Sequence, residues 1–213
     1  MTVLLADPEI AAVPVADSGE PLVPVPAGVV DPDAPRPLVR SGVAARLAVA
    51  QLLLPPGRRL RVVEGHRRPA DQQAIRARYA AEVEAAHPAA DAAARRRLTS
   101  RFVAPLEVAP HVAGAAVDVV LVDRLGRPVG LGTPVDATPE ASGGACWTDA
   151  PVSARAREER DLLGAAMRGA GFVNHPAEWW HWSHGDRYWA WTVHAPAALS
   201  GPAEVPLLAA TAR

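Results

Sequence analysis

The chain has 213 residues, a length that suits one domain whose core needs no disulfide or structural metal. Its 22 Lys and Arg residues nearly balance its 23 acidic ones, so we expect neither nucleic acid nor an anionic membrane as a partner. All 22 are Arg, and the absence of Lys excludes Schiff-base chemistry and Ser-Lys nucleophiles.

The two ends of the chain are rich in proline. Residues 1–37 are predicted to run extended or irregular over the surface, and residues 195–213 are predicted to form a surface tail. The first residues lack a basic region, and Asp7 interrupts the apolar run before it reaches signal-peptide length. No window is apolar enough for a transmembrane helix. We therefore expect a soluble cytoplasmic protein.

Between these ends, apolar spacing and residue type predict alternating helices and strands. The predicted helices cover residues 38–54, 69–86, 89–102 and 151–170. The predicted strands cover residues 59–64, 116–122, 172–174, 179–183 and 188–193. The last two strands are expected to form a hairpin that turns at Gly185 and Asp186. Residues 131–136 are predicted to be extended, and residues 137–150 to form a long loop, for which a lid over a cleft is one interpretation.

Smaller expectations concern single residues. In the helix 151–170, Leu162, Ala166 and Met167 or Leu163 are expected to face the core. Cys146 has no Cys partner and is interpreted as an ordinary loop thiol.

Two short stretches carry the polar residues of a metal site. Glu178 stands three residues before His181 in an aromatic stretch, and His111 stands seven residues before Asp118 in an apolar one. Catalytic zinc usually takes three ligands from His and carboxylates and keeps a fourth position for water. His111, Asp118 and His181 fit that count, which leaves Glu178 as a free carboxylate able to move a proton. The odd spacing requires a bend, which Gly114 can supply.

Each pattern also has a structural explanation. An isolated His and Asp in an apolar run usually form a hydrogen-bonded core pair, and the Trp residues between 179 and 182 are most simply core aromatics. Arg67 and Arg68 at a strand-to-helix corner are usually solvated. His184 is expected either near the site or at the surface. The other histidines are interpreted as structural or surface residues, namely His66, His87, His175 and His194.

Four motifs in one order make the chain resemble the D-alanyl-D-alanine dipeptidases between about residues 38 and 193. This is the VanX-like branch of the zinc peptidases that also includes the VanY-like D,D-carboxypeptidases. Residues 109–118 match Ser-x-His-x-x-Gly-x-Ala-x-Asp except at the first position, and residues 178–181 match Glu-Trp-Trp-His in full. Residues 65–67 match a Gly-Tyr-Arg corner, and residues 132–136 match Gly-Thr-Pro-Phe-Asp, each with one replacement.

The resemblance implies an α+β fold with a central antiparallel sheet and flanking helices, like the D,D-peptidases and the Hedgehog N-domain. It implies one zinc peptidase domain over residues 1–213 and one Zn²⁺ per chain. The implied zinc ligands are His111, Asp118 and His181. Glu178 would act as the general base and then the acid, Arg67 would stabilise the oxyanion, and Asp136 would help to hold the ammonium group of the dipeptide.

Three departures from the family pattern lie around this site. Ala109 replaces Ser beside a zinc ligand, His66 replaces Tyr beside the implied catalytic Arg, and Val135 replaces Phe in the pocket wall. None removes an implied ligand or the base. We therefore expect activity to survive, whereas the substrate preference is less firmly predicted.

The leading functional hypothesis is hydrolysis of D-Ala-D-Ala, or a similar short D-amino-acid dipeptide, to free amino acids, with no obligate protein partner. The first alternative is a D,D-carboxypeptidase or other peptidoglycan peptidase that acts on longer peptides. The second is a non-catalytic, zinc-binding, Hedgehog-like interaction module. The presence of both Glu178 and Arg67 favours an enzyme over such a module.

Overall fold

The structure is a computed structural model that describes residues 3–31 and 35–204. The helices are α1 (Pro8–Ala11), α2 (Ser41–Leu53), α3 (Pro69–Ala86), α4 (Ala92–Thr99), α5 (Pro139–Ser142), α6 (Ala154–Gly169) and α7 (Arg187–Thr192), with 3₁₀ turns at Ala27–Val29 and Leu106–Val108. The strands are β1 (Leu22–Pro24), β2 (Leu38–Arg40), β3 (Arg59–Glu64), β4 (Ala116–Val122), β5 (Val173–Asn174) and β6 (His181–Ser183). This arrangement confirms the predicted α+β fold.

A four-stranded antiparallel sheet in the order β3-β4-β6-β5 forms the centre of the fold. Strand β4 is almost entirely apolar and buried, as expected for a central strand that is covered on both faces. Its register places Asp118 opposite His181 on β6 and opposite Glu64 on β3, where the pairing of β3 is irregular between Val62 and Glu64. The sheet therefore brings three polar residues from distant parts of the chain to one end.

Helices α2 and α6 bury their apolar sides in the main core together with the sheet. Leu47 of α2 and Leu163 and Met167 of α6 are fully buried, and each such side chain contributes about 1.5–3 kcal/mol. Leu162 is 37% exposed, so its predicted core position is wrong and Leu163 occupies that position instead. On the other side of the site, α3 and the segment after α4 form a smaller cluster around Tyr79.

The predicted strand 188–193 is wrong, because this segment forms helix α7. Its aromatic content favours a strand only where a neighbouring strand is available, and strand propensity depends strongly on such context. Here Gly185 adopts a left-handed φ of 85°, and Asp186 Oδ1 accepts the backbone N–H of Trp189 at 2.8 Å, which caps the helix. The predicted hairpin with residues 179–183 is therefore absent, and β6 pairs with β4 and β5.

Other boundaries differ in smaller ways. The helix predicted for 38–54 begins at Ser41, because Leu38–Arg40 pair with Leu22–Pro24 as a two-stranded sheet. The helix predicted for 89–102 covers only Ala92–Thr99, and the loop predicted for 137–150 contains α5. Residues 131–136 form no strand.

The terminal segments pack against each other and against the central domain. Val15 and Ala198 form a bridge, so the described part of the predicted tail is held in place. Arg40 joins the segments through its buried guanidinium, which donates to Asp17 Oδ2, to the Gly201 carbonyl and to the Ala113 carbonyl. Predictions for residues 1, 2, 32–34 and 205–213 lie outside the described residues. Across the described ranges, every helix is too short or too polar to cross a bilayer.

Candidate active site and metal centre

Three side chains converge at the end of the sheet where Asp118 pairs with His181. His111 reaches this point from a turn before β4, in which Gly114 adopts the left-handed φ of 65° that the odd spacing requires. His111 Nε2 lies 3.1 Å from His181 Nδ1 and 3.4 Å from Asp118 Oδ1, and the latter two atoms are 3.2 Å apart. The fold thus brings the three predicted zinc ligands together, all of them buried.

The spacing of these atoms fits a tetrahedral metal. Ligands about 2.0–2.1 Å from zinc lie about 3.3 Å from one another along the edges of a tetrahedron. His111 Nδ1 lies 2.8 Å from the Gly65 carbonyl, which can only accept a hydrogen bond, so Nδ1 carries the proton and Nε2 presents a lone pair to the other two ligand atoms. Two imidazole nitrogens and one carboxylate are a donor set that suits zinc.

Asp118 is held in its charged form. Burial alone would raise the pKa of this carboxyl group, but His111 and His181 beside it bring its pKa well below the ordinary value. A permanently ionised carboxylate in a buried position supplies the negative charge that a divalent cation needs.

Glu178 lies next to this group because the chain turns tightly before β6. The Glu178 N–H donates to the His175 carbonyl, and the His181 N–H donates to the Glu178 carbonyl. The turn explains how residues three apart face the same site, and it places Glu178 Oε2 3.7 Å from His181 Nδ1. Burial, together with the charges of Asp118 and Asp136, raises the pKa of Glu178 well above its ordinary value. A carboxyl group with a raised pKa holds a proton more readily than an ordinary carboxylate, which suits a group that moves protons.

Arg67 lines the same cleft and is firmly held. Its guanidinium donates to both carboxylate oxygens of Glu64, at 2.7 and 2.5 Å, and to Gln72 Oε1 at 2.7 Å. Its backbone N–H donates to the His111 carbonyl. This hydrogen bond joins the corner to the turn formed by residues 111–114, which we call the ligand turn. The interpretation of Arg67 as a solvated residue is therefore wrong, whereas Arg68 is exposed and pairs with Asp71.

Asp136 enters the cleft from the loop before α5. Its φ of 61° is unusual for a residue other than glycine, and within residues 3–31 and 35–204 its carboxylate forms no hydrogen bond or ion pair. Burial and the charges of Asp118 and Glu64 raise its pKa. An unpaired carboxylate in a cleft of this kind attracts a cationic group.

The cleft has a volume of about 560 Å³. Asp136, Arg67, Glu178 and the three predicted ligands line it. Its lining also includes Ile75, Tyr79, Phe102 and Val103, which pack together in the smaller cluster. The loop 137–150 bounds the cleft, since Glu140 of α5 accepts hydrogen bonds from Tyr79 at 2.9 Å and from Arg101 at 2.7 Å.

Several residues that support the site gave no signal in the sequence. Arg160 of α6 is buried and donates to the carbonyls of Leu131, Ala145, Trp147 and Thr148, which fixes the loop that carries Asp136. In sequence it is one of many charges on an exposed-looking helix. Gln72 bridges Arg67 and the Ala104 carbonyl, and Cys146, expected to be a loop thiol, is fully buried in the main core.

Comparisons with known proteins were consistent with this site. Residues 28–196 match the model of peptidase family M15, described as D-Ala-D-Ala dipeptidase. A D-alanyl-D-alanine dipeptidase of Synechocystis sp. (strain ATCC 27184 / PCC 6803 / Kazusa) is 33% identical in an alignment 226 residues long. The alignment covers 84% of this chain and 88% of that protein.

Among solved structures, a mutant of the vancomycin-resistance D,D-pentapeptidase VanY in complex with Zn(II) matches 90% of this chain and 96% of its own. Its identity is 16% and its TM-score is 0.38. The family match spans most of the chain, and family M15 consists of zinc peptidases. The chain therefore belongs to the D-Ala-D-Ala dipeptidase family and is a zinc metallopeptidase.

Proposed function

We propose that the protein hydrolyses D-Ala-D-Ala, or a similar short D-amino-acid dipeptide, to free amino acids. Membership of the dipeptidase family supports the substrate class. The observation that carries the proposal is the position of the Glu178 carboxyl group, 3.7 Å from His181 Nδ1 and beside the three converging ligands. A cytoplasmic location and the lack of an obligate protein partner stay predictions.

The proposed zinc ligands are His111, Asp118 and His181. Zinc bound there supplies a Lewis acid, which polarises the scissile carbonyl and makes water more acidic. Glu178 takes a proton from the attacking water and delivers it to the leaving amine nitrogen. Burial and its acidic neighbours raise the pKa of Glu178, so the carboxyl group holds the proton taken from water until the amine nitrogen accepts it.

Arg67 and Asp136 bind the two polar parts of the substrate. The Arg67 guanidinium, oriented by Glu64 and Gln72, faces the carbonyl oxygen and stabilises the negative charge that develops on it. Asp136, whose carboxylate is unpaired in the described structure, attracts the ammonium group of the dipeptide. A free ammonium group distinguishes a dipeptide from the end of a longer acylated peptide.

The experiment is release of free D-Ala from D-Ala-D-Ala by the zinc-loaded protein and by Glu178→Gln. We expect Glu178→Gln to lower kcat by about 10²–10⁴, the usual contribution of general acid–base catalysis. Glu82→Gln, the same change at an exposed position of the same cleft on α3, is the matched control and should stay near the wild-type rate. Full activity of Glu178→Gln would show that another group moves the proton.

An acylated tripeptide that ends in D-Ala-D-Ala separates the remaining functions. Cleavage of the dipeptide alone supports the proposal, and Asp136→Asn should then raise KM for the dipeptide. Cleavage of the tripeptide would instead make the protein a D,D-carboxypeptidase. Cleavage of neither substrate would favour a zinc-binding interaction module.

A further inference from the structure

His181 and Asp186 each carry one buried side-chain atom that has no hydrogen-bond partner among the described residues. Nδ1 of His181 faces Asp118 and His111, whereas its second ring nitrogen, Nε2, is buried without a hydrogen-bond partner in the described residues. Oδ2 of Asp186 is likewise buried and unpartnered there. By contrast, the second nitrogen of His111 has its partner in the Gly65 carbonyl.

The backbone brings Asp186 to the same face of the sheet as His181. His181 and Ser183 are two residues apart on β6, so their side chains project from one face. Ser183 Oγ donates to Asp186 Oδ1 at 2.9 Å, and the Trp189 N–H donates to the same oxygen at 2.8 Å. One carboxylate oxygen is thus anchored, and the other has no partner among the described residues, while His181 is near enough to act on the pKa of this carboxyl group.

The geometry points to Asp186 as the positioning residue of His181, accepting the hydrogen bond of its Nε2–H through a bridging water and so directing Nδ1 at the metal. No direct hydrogen bond joins the two atoms, so we place one bridging water between them, which would also satisfy both buried groups. Histidines that bind metal almost always donate their other N–H to a carboxylate, a carbonyl or water. This inference rests on the ligand set of the proposed function.

Burial raises the pKa of Asp186, and the hydrogen bonds from Trp189 and Ser183 and the nearby His181 oppose that rise. His175, whose ring centroid is 6.0 Å from that of His181, is a competing acceptor, because its Nδ1 is also buried and unpartnered in the described structure. The two acceptors differ in that only Asp186 can carry negative charge.

The test compares Asp186→Asn with Asp91→Asn. Both aspartates cap a helix by accepting a backbone N–H, Asp186 from Trp189 and Asp91 from Ala94, and Asn preserves a cap. Only Asp186→Asn replaces a free carboxylate oxygen near His181 with an amide. Zinc dissociation constants are measured by competition with a chromophoric chelator, and the Tm of each zinc-free protein is recorded.

We expect Asp186→Asn to weaken zinc binding by about 10–100-fold, as outer-shell substitutions usually do, and Asp91→Asn to leave it unchanged. The zinc-free Tm values of the two variants should agree within a few degrees. Wild-type zinc affinity in Asp186→Asn would overturn the inference. So would a weakening found only in His175→Gln, which would assign the role to His175.

His181→Ala separates this inference from the proposed function. If His181→Ala binds zinc as tightly as the wild type, the proposed ligand set itself is wrong. If His181→Ala loses zinc and Asp186→Asn does not, the ligand set stands and only the role of Asp186 fails. Neither outcome depends on hydrolysis of a substrate.

Discussion

Gly65 lies between strand β2 and the turn that carries His111, and Gly65→Ala tests whether its close packing there is needed. Its carbonyl accepts the His111 Nδ1–H at 2.8 Å. A Cβ at this position would lie 2.6 Å from the Leu38 carbonyl oxygen and 3.0 Å from both Pro37 Cβ and Val39 Cγ1. The closest of these atoms belongs to the backbone of a paired strand, so it cannot move without disturbing β2.

The expected cost follows from that overlap. Forcing an extra methyl group into a packed site costs about 1–3 kcal/mol. The loss of chain entropy in the unfolded state on changing Gly to Ala offsets only about 0.4–1 kcal/mol. Relief of the overlap must displace the Gly65 carbonyl, which then no longer holds the His111 ring. We therefore expect lower stability of the zinc-free protein and weaker zinc binding together.

The assay is urea unfolding of the zinc-free protein, followed by a zinc competition titration. Gly130→Ala is the matched control, because no heavy atom lies within 4 Å of its added Cβ and its φ is not left-handed. If Gly65→Ala matched this control in both measurements, the contact with Leu38 would not constrain the ligand turn and our reasoning would be refuted.

Two further predictions concern buried groups outside the ligand set. Arg160→Met should lower the free energy of unfolding by about 3 kcal/mol or more, because it leaves carbonyls of the loop that carries Asp136 unpaired. The same change at the exposed Arg155 should alter the free energy of unfolding little. Equal urea midpoints for Arg160→Met and Arg155→Met would contradict this prediction. Burial lowers the pKa of His175 to about 3, from about 6.5 in the unfolded chain. The unfolded state then binds the proton first, so stability falls as the pH drops below about 6.5, by about 2 kcal/mol at pH 5. Denaturation measured at pH 5 and again above pH 6.5 should show this extra loss of stability in the wild type and not in His175→Gln.

The sequence predicted the main elements and the convergence of His111, Asp118 and His181 better than it predicted the residues that support them. The long apolar strand 116–122 and the helices on either side of the sheet have clear periodicity, and the structure contains them. The convergence of the three predicted ligands was expected from residue type and from the motifs. Their proximity depends on the pairing of β4 with β6, however, which joins residues 63 positions apart and has no local pattern.

Errors arose where tertiary context decides the outcome. The segment 188–193 has the composition of a strand, but the Asp186 cap makes it a helix. Arg160 was indistinguishable from a solvated arginine, and Arg67 was set apart only by its motif, because the carbonyls and carboxylates that surround them in the fold are what reveal their burial. Departures from local preference are expected near functional sites, where the needs of the site override local propensity.

The Arg40 guanidinium has a consequence for the order in which the protein forms during synthesis. Arg40 contacts the ligand turn at Ala113, 73 residues later in the chain, and the Gly201 carbonyl, 161 residues later. Contacts of such long separation close only after the intervening chain has left the ribosome. During translation, therefore, the turn that carries His111 lacks part of its support until residues near 201 have emerged, so a competent metal centre should appear only after synthesis has passed that point.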